Sequence, residues 1–95
     1  MAARHELPDR ELVRFTCPDP LPPVPLYSLS ATVVDHDRGR AITGWFRVNP
    51  GRPARLLLRP GAYTLRYHNV RTPGQRRTLP FQVTPKVANH FHLTP

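Results

Sequence analysis

The feature that most constrains the fold of this chain is a period-two alternation of apolar residues in short segments, which are separated by turns containing proline or glycine. The first clear example is Leu29, Ala31 and Val33, which alternate with hydroxyl-bearing residues. Successive side chains of a strand point to opposite faces, so one set of each segment is predicted to face a core. The later sets predicted to face the core are Ile42, Gly44, Phe46 and Val48; Leu56 and Leu58; Tyr63, Leu65 and Tyr67; Leu79, Phe81 and Val83; and Val87, Phe91 and Leu93.

Turn signals divide these segments at the short spacing that is typical of small β-sandwiches. Gly39 lies in a charged segment, while Gly51 and Gly61 each follow a proline. The sequence therefore predicts an all-β chain that forms a small antiparallel β-sandwich of about seven strands, transthyretin-like or immunoglobulin-like in arrangement. Pro80 cannot donate to a neighbouring strand, so its strand is predicted at a sheet edge. No helix longer than a turn or two is predicted.

The first residues differ in composition from the rest of the chain. We predict that residues 1–26 form a proline-rich N-terminal arm and that residues 27–95 form the sandwich domain. Alternation from Val13 to Cys17 indicates a short strand within the arm, although residues 8–12 also suit one turn of a helix.

The proline-rich part of the arm spans residues 18–25. Its composition predicts a stiff, extended, polyproline-type segment that does not donate hydrogen bonds to a sheet. Such a segment serves either as a rigid connector or as a ligand for an aromatic-lined groove.

Charge is divided unevenly along the chain. Residues 1–37 contain all six carboxylates and three arginines, whereas residues 38–95 contain eleven cations and no carboxylate, so the two parts carry net charges of −3 and +11. A domain with so many unmatched cations attracts anionic partners and repels cationic ones. Nucleic acid, an anionic membrane or polysaccharide, and an acidic protein surface all meet this description.

Cys17 is the single cysteine, which excludes an intramolecular disulfide and a thiolate metal cluster. We predict that it is a small buried hydrophobic residue. No run of about 18 apolar residues is present, so no transmembrane helix is predicted. The first residues lack the apolar stretch of a secretory signal, and we therefore expect a cytoplasmic protein without membrane insertion.

A longer segment of the alternating pattern is characteristic: Leu56-Leu57-Leu58-Arg59-Pro60-Gly61-Ala62-Tyr63-Thr64-Leu65. It is accompanied by Ala31-Thr32-Val33-Val34-Asp35, Gly39, Ala41-Ile42, Gly44, Phe81-Gln82-Val83 and Phe91-His92-Leu93-Thr94-Pro95. Over residues 29–95 the sequence resembles the carboxypeptidase-regulatory-like and PEGA-type modules, which share a transthyretin-like (prealbumin-like) sandwich. Trp45 and the density of arginines depart from that pattern. The resemblance implies a non-catalytic binding or spacer domain and leaves its ligand open.

The same alternation groups basic residues on the side of the strands that faces away from the core. The residues predicted to share this outer surface are Trp45, Arg47, Arg55, Arg59, Arg66 and His68. Arg71, Arg76 and Arg77 form a second basic cluster in a predicted loop. An exposed tryptophan among arginines is a platform on which bases or sugars stack while guanidinium groups hold phosphates. The alternative is a solvated surface on which arginine stems cover the indole.

Few residues suggest metal binding or catalysis. His68, His90 and His92 are weak candidates for metal ligands, but no carboxylate or cysteine in neighbouring strands completes a site, so we predict no metal and no cofactor. Asp35 and Asp37 lie in a tight turn, where aspartate side chains commonly accept hydrogen bonds from backbone amides. Neither a nucleophilic triad nor a phosphate-binding glycine loop is found, and we predict a non-enzymatic protein.

Two functions fit these observations. The first is an interaction or assembly module whose arginine-rich sheet face binds an acidic protein or another anionic surface, alone or within a larger assembly. The alternative is a nucleic-acid-binding protein without sequence preference. A homo-oligomer is also consistent with the charges, since the acidic arm of one copy is able to contact the basic part of another.

Overall fold

The computed structural model describes residues 9–20 and 26–95, which form seven strands and no helix. The strands are β1 (Glu11–Thr16), β2 (Leu29–Asp35), β3 (Phe46–Val48), β4 (Ala54–Leu58), β5 (Gly61–Asn69), β6 (Arg77–Val83) and β7 (Asn89–His92). The predicted all-β class is thus confirmed. Within the described ranges, no helix is long and apolar enough to cross a membrane. Most of the proline-rich segment predicted over residues 18–25 lies outside the described residues.

The strands form two sheets that enclose a common core, as predicted for a small β-sandwich. One sheet has the order β4-β1-β7, and the other has the order β3-β2-β5-β6. The pairings are antiparallel except that of β1 with β7, which is parallel. A parallel pair needs a long connection, and here the rest of the sandwich provides it because β1 and β7 are the first and last strands.

Apolar side chains from both sheets fill the core. The largest fully buried side chains are Phe15, Leu29, Leu65, Leu93, Val13, Val33, Val48 and Val83. The ring of Phe15 lies 5.4 Å from that of Phe81, 5.8 Å from that of Phe91 and 6.2 Å from that of Phe46, measured between centroids. Burial of one such side chain contributes about 1.5–3 kcal/mol, and aromatic pairs at these distances add to it.

The strand predicted within the N-terminal arm is β1, and it is the central strand of the three-stranded sheet. Val13 and Phe15 are fully buried, while β4 and β7 pair with β1 on its two sides. The sandwich therefore includes Glu11–Thr16 as well as the predicted range 27–95. The alternative of a helical turn is not realised, since the strand already begins at Glu11.

Two further sequence predictions concern Pro80 and the residues expected to face the core. Pro80 lies on β6, which is an edge strand of the four-stranded sheet, as predicted. Ile42 is 45% exposed and Val87 is 55% exposed, so the prediction that these two residues face the core is wrong. Ile42 lies before β3 and Val87 lies in the connection between β6 and β7, and alternation orients side chains only within a strand.

Candidate functional site

The outer face of the four-stranded sheet brings together several of the predicted binding residues. Ser30 on β2 lies opposite Arg47 on β3 and opposite His68 on β5, so these three form a row across three strands. In the next row, Thr32 lies opposite Arg66. Paired residues point to the same face of a sheet. Arg47, Arg66 and His68 therefore share one surface, as predicted.

A bulge before β3 determines where Trp45 lies. Val34 bridges to Ala41 and Ala31 pairs with Phe46, so β2 advances by three residues while the facing chain advances by five. A regular ladder cannot accommodate the surplus, and the chain bends away from it. Trp45, the last residue before β3, is 60% exposed as a result.

Hydrogen bonds from Thr43 hold this bulge against β2. Thr43 Oγ1 accepts from the backbone N–H of Val33 at 3.1 Å, and the Thr43 carbonyl accepts from Thr32 Oγ1 at 2.9 Å. The backbone N–H groups of Ile42 and Thr43 both donate to the carbonyl of Val33. These bonds satisfy the polar groups that the bulge removes from the ladder. Trp45 therefore follows a structured segment.

The indole of Trp45 contacts the imidazole of His68, with ring centroids 5.5 Å apart and planes inclined by 57°. The two rings border a cleft of about 280 Å³. Its lining includes Thr32, Trp45, Arg66, His68, Arg76 and Arg77. Arg76, from the predicted loop cluster, thus joins the predicted sheet surface. Arg77 is the first residue of β6 rather than part of a loop, and it pairs with the buried Tyr67, so it borders the cleft from the core-facing side of its strand. We call the surface formed by Trp45, Arg47, Arg66, His68 and Arg76 the Trp45 face.

The Trp45 face is strongly cationic. Among residues 9–20 and 26–95, the one ion pair joins Arg59 to Asp9, and neither residue belongs to this face. The Nδ1 atom of His68 is buried and has no hydrogen-bond partner in the described part of the chain. A buried polar atom without a partner costs about 1–3 kcal/mol.

Arg71, the remaining member of the predicted loop cluster, extends the basic surface past the end of β5. Arg47 and Arg71 line a shallow depression of about 410 Å³ together with Leu26, Tyr27 and Val70. Arg47 Nη1 lies 3.5 Å from Ser28 Oγ in the same depression.

Arg55 and Arg59 lie elsewhere, and the prediction that they share a surface with Arg66 is wrong. β4 pairs with β1 in the three-stranded sheet, so Arg55 lies opposite Arg14 and points away from the core on that side of the sandwich. Arg59 follows β4, and its Nε lies 2.9 Å from Asp9 Oδ2. Alternation predicts whether a residue faces the core, but it does not identify the sheet that a strand joins.

The weak metal candidates are also divided between the two sheets. His90 and His92 point to the same face of β7, and Thr16 Oγ1 lies 3.0 Å from His90 Nε2 and 2.9 Å from His92 Nδ1. His68 belongs to β5 in the other sheet, so the three histidines do not form one site. No group of three histidine, cysteine or acidic side chains suited to a metal ion occurs within the described ranges.

The environments of Cys17 and Asp35 indicate that both residues have a structural role. Cys17 is 6% exposed, and burial raises the pKa of its thiol, so the thiol is protonated at neutral pH. The prediction of a buried hydrophobic residue is thus confirmed. Asp35 Oδ1 accepts from the backbone N–H groups of Asp37 at 2.8 Å and Arg38 at 3.1 Å, as predicted for a tight turn. These hydrogen bonds lower the pKa of the Asp35 carboxyl.

Comparisons with known proteins give no match: no family model, no curated protein and no solved structure is similar to this chain. The resemblance to carboxypeptidase-regulatory-like and PEGA-type modules therefore stays a prediction from the sequence. A function for the chain has to be argued from its surfaces.

Proposed function

We propose that this protein is a non-enzymatic interaction module that binds an acidic protein surface, or another anionic surface, through the Trp45 face. The observation that carries this proposal is the cleft beside Trp45, which Arg66, Arg76 and Arg77 line without a carboxylate partner among the described residues. Cations that are not neutralised within the protein attract an anionic partner over a distance and speed its association.

The side chains of this face suit a protein partner. A guanidinium group forms paired hydrogen bonds to a carboxylate, which adds direction to the attraction between the charges. Tryptophan and arginine are also the residues that most often dominate binding at protein interfaces. Trp45 supplies an exposed apolar surface beside Arg66, and the strands and the hydrogen-bonded bulge hold both residues in position.

Nucleic acid is the second candidate, and the exposure of Trp45 favours it. An indole that is 60% exposed beside arginines is able to stack on a base while the guanidinium groups contact phosphates. No hydrogen-bonding pattern on this face is specific for one base. Binding of this kind would be independent of sequence and would weaken strongly with salt.

Three other sequence predictions belong to the same proposal. The transthyretin-like arrangement and the cytoplasmic location are consistent with a small binding module. Self-association through the acidic arm is a third. Asp9 pairs with Arg59 within one copy, so the intermolecular contact would involve other residues of the arm.

The test is a binding titration with two probes, a labelled oligo-glutamate peptide and labelled single- or double-stranded oligonucleotides, followed by fluorescence anisotropy at low and physiological salt. The face variant is Arg66→Glu/Arg76→Glu. The control variant, Arg52→Glu/Lys86→Glu, makes the same change in net charge at exposed residues outside the Trp45 face. We expect the face variant to lose about tenfold or more in affinity for the peptide and the control to retain it.

Two results would change this conclusion. Equal losses in the face and control variants would mean attraction to net charge alone, which would overturn a site on the Trp45 face. Oligonucleotide binding that persists at physiological salt and disappears in a Trp45→Ala variant would move nucleic acid to first place.

A further inference from the structure

The three-stranded sheet carries two further arginines on its outer face, beside a histidine. Arg55 on β4, Arg14 on β1 and His90 on β7 lie side by side in register. Next to them, Leu57 lies directly opposite Leu12. All of these positions alternate with core-facing residues, so their side chains share the outer face. We call Arg14, Arg55 and His90 the Arg14 row.

The Arg14 row is unfavourable as it stands. Like charges placed directly opposite each other on neighbouring strands destabilise a sheet, and Arg14 lies opposite Arg55. The one ion pair among the described residues joins Arg59 to Asp9, so neither Arg14 nor Arg55 has a carboxylate partner within residues 9–20 and 26–95. The Nε atom of Arg14 is in addition buried without an acceptor in the described part of the chain. A bound anion would relieve the repulsion between the two arginines.

The apolar residues beside the row indicate what kind of anion fits. Leu12 is 51% exposed and Leu57 is 49% exposed, so together they present an aliphatic surface to solvent. Each lies two residues along its strand from an arginine, a distance of about 7 Å. In an extended peptide, side chains at positions i and i+2 have the same spacing and the same direction. A carboxylate and an apolar side chain two positions apart would therefore contact an arginine of the Arg14 row and one of these leucines at the same time.

We propose that the outer face of the three-stranded sheet is a second docking site, which binds an extended acidic peptide segment with an apolar residue two positions from a carboxylate. The exposed side chains of Leu12 and Leu57 give an apolar peptide side chain a surface to cover, which a phosphodiester backbone does not offer, so this face suits a protein segment better than nucleic acid. Because the two sheets of a sandwich face opposite directions, a ligand here does not compete with one on the Trp45 face. The domain would then join two acidic segments.

The side chain of His90, at one end of the Arg14 row, is held in place. Thr16 Oγ1 lies within hydrogen-bond distance of His90 Nε2 and His92 Nδ1, which orients both rings on the outer face. An ordered imidazole loses less conformational freedom on binding than a free one, which favours binding at this end of the row.

The experiment compares two synthetic peptides of the same composition. One repeats Glu-Ser-Leu-Ser, which places Glu and Leu two positions apart, and the other repeats Glu-Leu-Ser-Ser, which places them on opposite sides of an extended chain. Affinity is measured by isothermal titration calorimetry, and the contact surface is mapped by amide chemical shifts. The variants Arg55→Glu and Leu57→Ser change exposed side chains, so the fold is retained. Arg38→Glu, at an exposed residue in the connection between β2 and β3, is the matched control, and Arg66→Glu reports on binding at the Trp45 face.

We expect the Glu-Ser-Leu-Ser peptide to shift amides of β1, β4 and β7. Arg55→Glu should weaken its binding about tenfold, Leu57→Ser should weaken it less, and Arg38→Glu should leave it unchanged. Equal binding of both peptides, or no binding, would overturn the proposal. Binding that is lost in Arg66→Glu and retained in Arg55→Glu would also overturn it, while supporting the function proposed for the Trp45 face.

Discussion

The indole of Trp45 and the imidazole of His68 meet across β2, with their ring centroids 5.5 Å apart. Trp45 precedes β3 and His68 lies on β5, and these strands flank β2 on its two sides. The side chains between them, such as Ser30, are short, so the indole is able to reach the far strand. Trp45 is therefore both exposed and in contact with the sheet, which makes it a fixed part of a basic surface.

The single tryptophan should report on the charge around it. Arg66, Arg76 and Arg77 line the cleft beside Trp45 and concentrate anions there, so iodide should quench its fluorescence more strongly than caesium at low ionic strength. Arg66→Glu should lower the ratio of the iodide to the caesium quenching constant about twofold or more. Arg55→Glu, on the other sheet, should leave the ratio unchanged. Equal quenching by the two ions in the unmodified protein would contradict a cationic Trp45 face.

Replacement of Phe15 tests the core. Phe15→Ala should lower the free energy of unfolding by about 3–5 kcal/mol, because it removes a fully buried ring that contacts Phe46, Phe81 and Phe91. A domain of this size has a total stability of about 5–15 kcal/mol, so the change should be obvious in urea unfolding. The control is Leu57→Ala, which truncates a half-exposed side chain. Similar losses in the two variants would show that Phe15 is not at the centre of the core.

Acid should weaken the turn that begins at Asp35. Backbone hydrogen bonds from Arg38 and Asp37 lower the pKa of its carboxyl, so the folded state favours the charged form. That contribution to stability is complete above the unfolded-state pKa of about 3.9 and is lost as the pH falls through the lower folded-state value. The melting temperature of an Asp35→Asn variant should therefore fall less on acidification than that of the unmodified protein. Parallel melting curves in the two proteins would refute this role.

The thiol of Cys17 should react slowly in the folded protein. Burial raises its pKa, and the Sγ atom lies 3.8 Å from the carbonyl of Val48 inside the sandwich. The thiolate is the reactive form, so both its low population and its inaccessibility retard alkylation. Iodoacetamide labelling at neutral pH should accelerate by about a hundredfold or more in denaturant, in proportion to the unfolded fraction. Equal labelling rates with and without denaturant would mean that Cys17 is accessible.

Much of the fold follows from local sequence. Leu29, Ala31 and Val33 alternate with polar neighbours and are fully buried, as the pattern predicts, because a strand directs alternate side chains to opposite faces. Pro80 indicates an edge strand because it lacks a backbone donor, and β6 lies at an edge. Val87 shows the limit of this reasoning, since the pattern does not show where a strand stops and a connection begins.

The sequence by itself determined the all-β class, the side of most strands that faces the core and the excess of positive charge, since these depend on residue type and spacing. The tertiary structure decided which strands pair, because pairing depends on contacts between segments far apart in the chain. β4 pairs with β1 rather than with β5, and this places Arg55 and Arg66 on opposite sides of the sandwich. The same pairing places Arg14 beside Arg55, which turns one predicted basic surface into two.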